Sequence, residues 1–143
     1  MLKIGRQQWE QLRRHGEETY PHECCGVLLG EPRGGARAVR DAVRCANSRS
    51  DSPQNRYEIE PGELVGLLRE ARGRELEIVG FYHSHPDHPA HWSATDLEEA
   101  YWLGCSYVIT SVEQGRATQT NAFLLTGDAL AEKHFEDEVV EVE

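Results

Sequence analysis

The sequence predicts an α/β (α+β) fold in which helices flank a mixed β-sheet. Apolar segments of strand length alternate along the chain with amphipathic helical segments, an order typical of a sheet packed against helices. Short turns at 31–35 and 113–115 separate neighbouring strand segments, and such hairpins require antiparallel pairs. The sheet should therefore contain both parallel and antiparallel strands.

The N-terminal third of the chain is expected to form a helix and then a hairpin. Trp9 and Leu12 give residues 5–20 a sparse apolar stripe, which suits a helix that lies on a sheet. Residues 25–30 are a continuous apolar run that fits a strand buried on both faces, and residues 36–46 should be its partner.

The middle of the chain is expected to contain a polar loop and a second helix. Residues 47–55 should form the loop, after which residues 56–59 return to extended chain. Pro61 favours the first turn of a helix, which should end near Gly73. This helix has apolar residues at i, i+3, i+4 and i+7, namely Leu64, Leu67, Leu68 and Ala71.

The C-terminal part is expected to add a third helix and a second hairpin. The helix should run from Ser93 to Gly104, and residues 107–110 and 117–125 should pair as the hairpin. The strongly acidic tail from about residue 132 is expected to be an edge strand or a frayed end.

Length and charge limit the class of protein. The 143 residues are expected to form a single domain (1–143), long enough to bury a sizeable core. The formal net charge of −10 argues against a nucleic-acid or membrane-surface protein. No apolar run approaches the ~20 residues of a membrane span, and the N-terminus lacks a signal-like apolar core, so we expect a cytoplasmic protein.

The four cysteines have no Cys-x-x-Cys spacing that would indicate a structural zinc site or a redox pair. Because the cytoplasm keeps thiols reduced, Cys24, Cys25, Cys45 and Cys105 are expected to be ordinary small buried residues. The alternative is that Cys24 or Cys25 lines a pocket beside Glu23. Three histidines without a partner pattern are expected at the surface: His15, His22 and His134.

The most informative stretch begins where the apolar segment 76–82 is followed by His83 and His85. A strand places residues i and i+2 on one face, with side-chain origins roughly 6 to 7 Å apart. Two imidazoles at this spacing can converge on one metal ion. Pro86 cannot donate a ladder hydrogen bond and should end the strand.

The tetrad from Ser93 to Asp96 has the pattern of a capping box, which by itself is structural. The cap would nevertheless fix the directions of both side chains. Asp96 can then be a third metal ligand and leave one position for water, as in catalytic zinc sites. His88 and His91 lie in the preceding loop and could be extra ligands, although exposed rim residues are the favoured interpretation.

The combined pattern resembles the signature of the JAMM (MPN-plus) zinc metallopeptidases: a His-x-His, seven residues, a Ser-x-x-Asp and an upstream glutamate, here in Glu-Cys-Cys-Gly-Val-Leu-Leu-Gly. The similarity extends from about residue 23 to about residue 125. It implies a curved mixed sheet flanked by helices, with a layering similar to that of cytidine deaminases. All five signature positions are filled, by Glu23, His83, His85, Ser93 and Asp96.

The resemblance also implies a mechanism. One Zn²⁺ per chain would be held by His83, His85 and Asp96, and zinc lowers the pKa of its bound water toward about 7. Glu23 would be the general acid/base, and the Ser93 hydroxyl would stabilise the developing oxyanion.

Members of this family characteristically hydrolyse amide or isopeptide bonds at the C-terminal tail of ubiquitin or ubiquitin-like proteins. Small bacterial members resemble enzymes that process a sulfur-carrier protein with a Gly-Gly end, and this chain lacks the large insertions of eukaryotic deubiquitinases. Carrier processing is therefore the favoured function. The alternatives are a non-catalytic MPN scaffold and a small-molecule amidohydrolase. The sequence does not indicate an oligomeric state.

A local excess of arginine between residues 33 and 56 has two interpretations, because six arginines there are opposed by two aspartates. The simpler one is a solvated strand face. The alternative is a docking surface for an acidic carrier protein, in which Arg37 and Arg40 would bind the substrate.

Overall fold

The computed structural model describes residues 1–143 and confirms a mixed sheet flanked by helices. In chain order the elements are β1 (Leu2–Ile4), α1 (Arg6–Thr19), β2 (Cys25–Arg33), β3 (Ala36–Cys45), α2 (Pro61–Gly73), β4 (Glu77–Pro86), α3 (Ala94–Glu99), β5 (Ser106–Glu113), β6 (Arg116–Thr126), a 3-10 turn (Leu130–Glu132), β7 (His134–Glu138) and β8 (Val140–Val142). Strand pairs β4–β5, β1–β3 and β1–β8 are parallel, and the other pairs are antiparallel.

The sheet is strongly curved, as its strand order shows. The eight strands lie in the order β7-β6-β5-β4-β2-β3-β1-β8, so β7 and β8 occupy opposite edges. Only Val139 separates these two strands in the chain. One residue can connect two edges only if the sheet curls until they approach each other, and the sheet is therefore nearly closed.

The helices cover the two faces of the sheet, and each face has its own apolar core. On one face, Leu12 of α1 packs into a cluster that includes Leu28, Tyr82 and Val108. On the other face, Leu67 of α2 packs into a second cluster, which we call the α2-side core. Ile78 and Phe81 of β4 pack in the α2-side core, and Val79 and Tyr82 pack in the other core. Each pair is three residues apart because the pairing of β4 with β2 shifts register between Gly80 and Ile78. None of the helices combines the length and apolar character needed to span a bilayer.

The end of the sheet where β4 begins is held by a buried ion-pair cluster. Glu138 is only 3% exposed and bonds Arg37, the Ser106 hydroxyl at 2.6 Å, and the N-terminal amine at 3.4 Å. Arg37 also donates to the Ser106 hydroxyl at 2.9 Å. These contacts join β3, β5 and β7, so Arg37 contributes to closure of the sheet.

Two local features of the fold differ from the sequence prediction. Helix α3 ends at Glu99 and does not reach Gly104. Ala100 and Trp102 both pack against the α2-side core, and this alternation needs extended chain. Strand β1 was not predicted because three residues are too short to show a period. Residues 56–59, predicted as extended chain, belong to no helix or strand.

His15, expected at the surface, is buried. Leu12, His15 and Gly16 lie at i, i+3 and i+4 of α1 and face the sheet. The His15 Nδ1 atom lies 2.7 Å from the Tyr82 hydroxyl. Burial and the nearby Arg44 charge lower the pKa of His15 to about 4, so the imidazole is neutral near pH 7.

We expect Gly26→Ala to destabilise the protein by about 1 to 3 kcal/mol, because the new methyl would overpack the core. A Cβ atom at residue 26 would lie 2.1 Å from the Tyr82 ring, which is buried and bonded to His15. The matched control is Gly66→Ala on the exposed face of α2, where nothing lies within 4 Å. It should stabilise the helix by about 0.5 to 1 kcal/mol. Equal changes in urea denaturation would contradict this account.

Candidate metal centre

The centre is built at the carboxyl end of β4, in the middle of the sheet. His83 and His85 point to the face of the α2-side core and are 2% and 7% exposed. Ser84, between them, points to the opposite face toward Gly16 of α1. The same-face prediction for the two imidazoles is therefore confirmed by the backbone of β4.

Three side chains bring their ligand atoms together at one point. The Nε2 atoms of His83 and His85 are 3.2 Å apart. The Asp96 Oδ2 atom lies 3.0 Å from His85 Nε2, and its Oδ1 atom lies 3.2 Å from His83 Nε2. Ligands of a tetrahedral zinc ion at 2.0 to 2.1 Å are separated by about 3.3 Å, so the spacing fits such an ion. The group His83, His85 and Asp96 is called the triad below.

The protonation of the imidazoles suits metal binding. His85 Nδ1 lies 2.9 Å from the Pro89 carbonyl oxygen, to which it donates, so the lone pair is on Nε2. Burial lowers the pKa of His83, because it disfavours the charged imidazolium. His83 also stacks on Tyr57, with ring centroids 4.6 Å apart. The His83 ring is thereby available as a neutral ligand, and the Pro89 contact turns Nε2 of His85 toward the centre.

The predicted capping box at the start of α3 is present and orients Asp96. The Asp96 backbone N–H donates to the Ser93 hydroxyl oxygen at 3.0 Å, and the Ser93 N–H donates to Asp96 Oδ2 at 2.9 Å. Burial opposes ionisation of Asp96, but the neighbouring imidazoles and the Ser93 N–H outweigh it and hold its pKa well below the usual range. Asp96 is therefore an ionised ligand.

Glu23 lies just before β2, the strand that pairs with β4 beside the triad. Cys25 of β2 is the register partner of His83, and Ser84 N–H donates to the Cys24 carbonyl, so Glu23 stands opposite His85. Glu23 is 3% exposed, and its Oε1 atom is buried without a hydrogen-bond partner. Burial, followed by the charges of Asp96 and Glu99, raises the pKa of Glu23 to about 9.

The donor chemistry and the unpaired carboxyl together fit a bound cation. Two imidazole nitrogens and one carboxylate are the ligands of many catalytic zinc sites. A buried carboxyl oxygen without a partner is costly in a folded protein, and a nearby positive charge or its bound water would compensate it. The site residues are thus suited to zinc.

A cleft of about 620 Å³ opens beside the triad, and most of its lining residues carry polar side chains. A second cleft of about 470 Å³ is mostly apolar and includes Tyr57, Phe81 and Trp102. Arg56 lines the polar cleft and pairs with Glu99, which lines the apolar one. The polar cleft is lined by Glu23, Ser52, Asn55, Arg56, His85, His88, Pro89, His91, Trp92, Ser93 and Thr95.

The structure also places the remaining candidates. His88 and His91 are exposed residues of the cleft outside the triad, as the favoured interpretation expected. All four cysteines are buried free thiols, and Cys24 and Cys25 do not line the cleft. Arg40 pairs with Glu31, and Arg37 belongs to the cluster around Glu138, so neither reaches the cleft.

Three residues near the centre were not found from the sequence. The Pro89 carbonyl orients His85, Tyr57 stacks on His83, and Arg56 forms part of the cleft wall. A backbone carbonyl has no sequence signal. The placement of Tyr57 and Arg56 depends on a loop that returns to the sheet, which no local pattern indicates.

Comparison with known proteins agrees with this geometry. The profile of a family described as prokaryotic homologs of the JAB domain matches residues 6–125. The desampylase of Haloferax volcanii is 41% identical over 112 residues, which cover 78% of this chain and 76% of that protein. A Thermus thermophilus protein named "Probable TtuB-protein conjugate cleaving protease" is 31% identical over 117 residues, covering 82% and 74%.

Solved structures show the same fold. A protein from Desulfitobacterium hafniense matches with a TM-score of 0.81 and 28% identity, covering all of this chain and 94% of that one. A Salinibacter ruber protein matches with a TM-score of 0.72 and 41% identity, covering 97% and 91%. The profile match and the similarity to the desampylase show that the chain belongs to the prokaryotic JAB (JAMM/MPN) domain family.

Proposed function

We propose that the protein is a zinc-dependent hydrolase that cleaves an amide or isopeptide bond at the Gly-Gly tail of a ubiquitin-like or sulfur-carrier protein. The observation that carries this proposal is the convergence of His83, His85 and Asp96 on one point beside the buried, unpaired carboxyl of Glu23. A non-catalytic scaffold would not need this arrangement, which is unfavourable without a cation.

Zinc held by the triad would supply Lewis acidity and lower the pKa of a bound water toward about 7. Glu23 accepts the proton of the attacking water and delivers it to the leaving amine, so the products are a carboxylate and an amine. Positive charge at the triad favours the ionised form of Glu23, which is the form that accepts a proton.

Ser93 is suited to stabilise the oxygen of the scissile carbonyl as it becomes negative. Its hydroxyl oxygen already accepts the Asp96 N–H, which leaves the hydroxyl hydrogen free to donate into the cleft. A preorganised donor of this kind contributes roughly 3 to 4 kcal/mol to the transition state. The capping box holds the donor in place.

The cleft and the relatives indicate the substrate class. The polar side chains in the cleft suit a glycine tail, whose backbone groups need hydrogen-bond partners when they lose water. The relatives' names support hydrolysis of conjugates of a ubiquitin-like protein. The sequence alone favoured the trimming of a carrier protein. With the relatives' names added, we favour an isopeptide conjugate as the substrate. The docking role of Arg37 and Arg40 stays a prediction, and Arg40 is the better residue to vary because Arg37 also holds the sheet.

The triad should bind about one zinc per chain. Plasma mass spectrometry after dialysis should find that His85→Ala and Asp96→Asn lose most of this metal. His88→Ala is the matched control, because His88 lines the same cleft outside the triad. Retention of zinc by both triad variants, or its loss from the control, would refute the assignment.

Glu23→Gln should lower cleavage by about 10² to 10⁴-fold while zinc content is unchanged, because the amide cannot accept the proton. The assay compares a Gly-Gly-ending ubiquitin-like protein joined to a lysine with the same protein carrying a C-terminal extension. Glu98→Gln, an exposed position on α3, should keep full activity. Undiminished cleavage by Glu23→Gln would rule out this mechanism.

The contribution of Glu23 to the stability of the metal-free protein should fall as the pH rises from about 4.5 to about 9. In that range folded Glu23 holds a proton that the unfolded chain has released, so the free energy of unfolding falls with pH. Glu23→Gln removes this contribution and should be more stable near pH 7 by up to about 3 kcal/mol. Urea denaturation in a chelator measures both proteins. Identical pH slopes would show that Glu23 is not buried as described.

A further inference from the structure

We propose that Asn47 is a positioning residue that holds Glu23 beside the triad, a role that rests on the function proposed above. Asn47 lies two residues after β3, at the start of the loop that precedes α2. It is outside the cleft and the triad, so it would act only through the residues that it bonds.

The Asn47 side chain uses its full hydrogen-bonding capacity. Its Nδ2 atom donates to the carbonyl oxygens of Glu23 at 3.3 Å and Arg56 at 3.1 Å. Its Oδ1 atom accepts from the backbone N–H groups of Arg49 at 3.0 Å and Glu58 at 3.1 Å. Two donors and two acceptors are all that an asparagine offers. One side chain thereby links the start of β2 to both ends of the loop.

The loop holds the Glu23 peptide from two sides. The Glu23 N–H donates to the Pro53 carbonyl at 2.8 Å, while its own carbonyl accepts from Asn47. The next residue is tied to β4 instead, because the Cys24 N–H donates to the Ser84 hydroxyl at 2.8 Å. The backbone around Glu23 is therefore hydrogen-bonded to the loop on one side and to β4, which carries His83 and His85, on the other.

The backbone contacts of Glu23 matter because its carboxyl group has few hydrogen-bond partners that would fix its direction. The Oε1 atom is buried without a hydrogen-bond partner. The direction of the carboxyl then depends on where its backbone is held and on the packing around it. A general base must be placed within hydrogen-bond reach of its proton donor, so the backbone contacts control the chemistry.

Ser48 offers an internal comparison. Its hydroxyl and its backbone N–H both donate to the Glu58 carbonyl, at 3.0 and 2.9 Å. These bonds join the same two ends of the loop but do not touch Glu23. A role in loop stability is therefore shared by Asn47 and Ser48, whereas the bond to Glu23 belongs to Asn47.

The experiment compares Asn47→Ala, Asn47→Asp and Ser48→Ala in the zinc-loaded protein. Aspartate keeps the acceptors for Arg49 and Glu58 but loses the donors to Glu23 and Arg56. Both Asn47 variants should lower kcat by about 10 to 100-fold, with KM changed by less than about 3-fold and zinc content unchanged. Ser48→Ala should keep kcat within about 2-fold.

A double-mutant cycle separates positioning from a general structural role. If Asn47 acts through Glu23, adding Asn47→Ala to Glu23→Gln should leave the residual rate unchanged. A further loss by the same factor would overturn the proposal, as would equal loss of kcat in Ser48→Ala.

Crystal structures of the variants test the positioning role of Asn47 independently of any activity measurement. The Glu23 carboxyl should move by about 1 Å or more in Asn47→Ala and Asn47→Asp, and stay in place in Ser48→Ala. An unmoved carboxyl in both Asn47 variants would refute the positioning role. Failure of the wild-type protein to cleave any conjugate would instead refute the proposed function, while the displacement would still decide the role of Asn47.

Discussion

The antiparallel register between β2 and β4 is the constraint on which the site depends. Pairing of Cys25 with His83 brings Glu23 level with His85 on the same face. Because side chains alternate along a strand, a slip of one residue would turn Glu23 away from the two imidazoles. The register is specified by packing on both faces, where Val27 and Leu28 are fully buried in different cores.

The centre concentrates buried carboxyl groups in an unfavourable environment. The pKa of Glu23 is raised mainly by burial and further by the nearby charges of Asp96 and Glu99. Arg56 compensates Glu99 but leaves Glu23 without a partner. Such a cluster lowers the stability of the metal-free fold. It is typical of functional sites, which retain destabilising groups because the reaction requires them.

The parts of the site that follow from local rules could be predicted from the sequence. The two-residue period of a strand aligned His83 with His85, and the capping-box pattern oriented Asp96. Glu23 came from family resemblance alone, because the pairing of β2 with β4 joins segments about 60 residues apart. Asn47 and Tyr57 were missed for the same reason. The prediction that His15 is exposed was wrong, because the local sequence does not indicate that the Tyr82 hydroxyl lies opposite it as a hydrogen-bond partner.

The capping box has a consequence for how related chains are recognised. Ser93 and Asp96 start a helix as well as lining the centre, so selection for a well-formed α3 would preserve both residues after catalysis had been lost. A serine and an aspartate at this spacing are therefore poor markers of an active enzyme. Glu23 and His85 have no comparable structural duty in the helix, and their presence or absence has the greater diagnostic value.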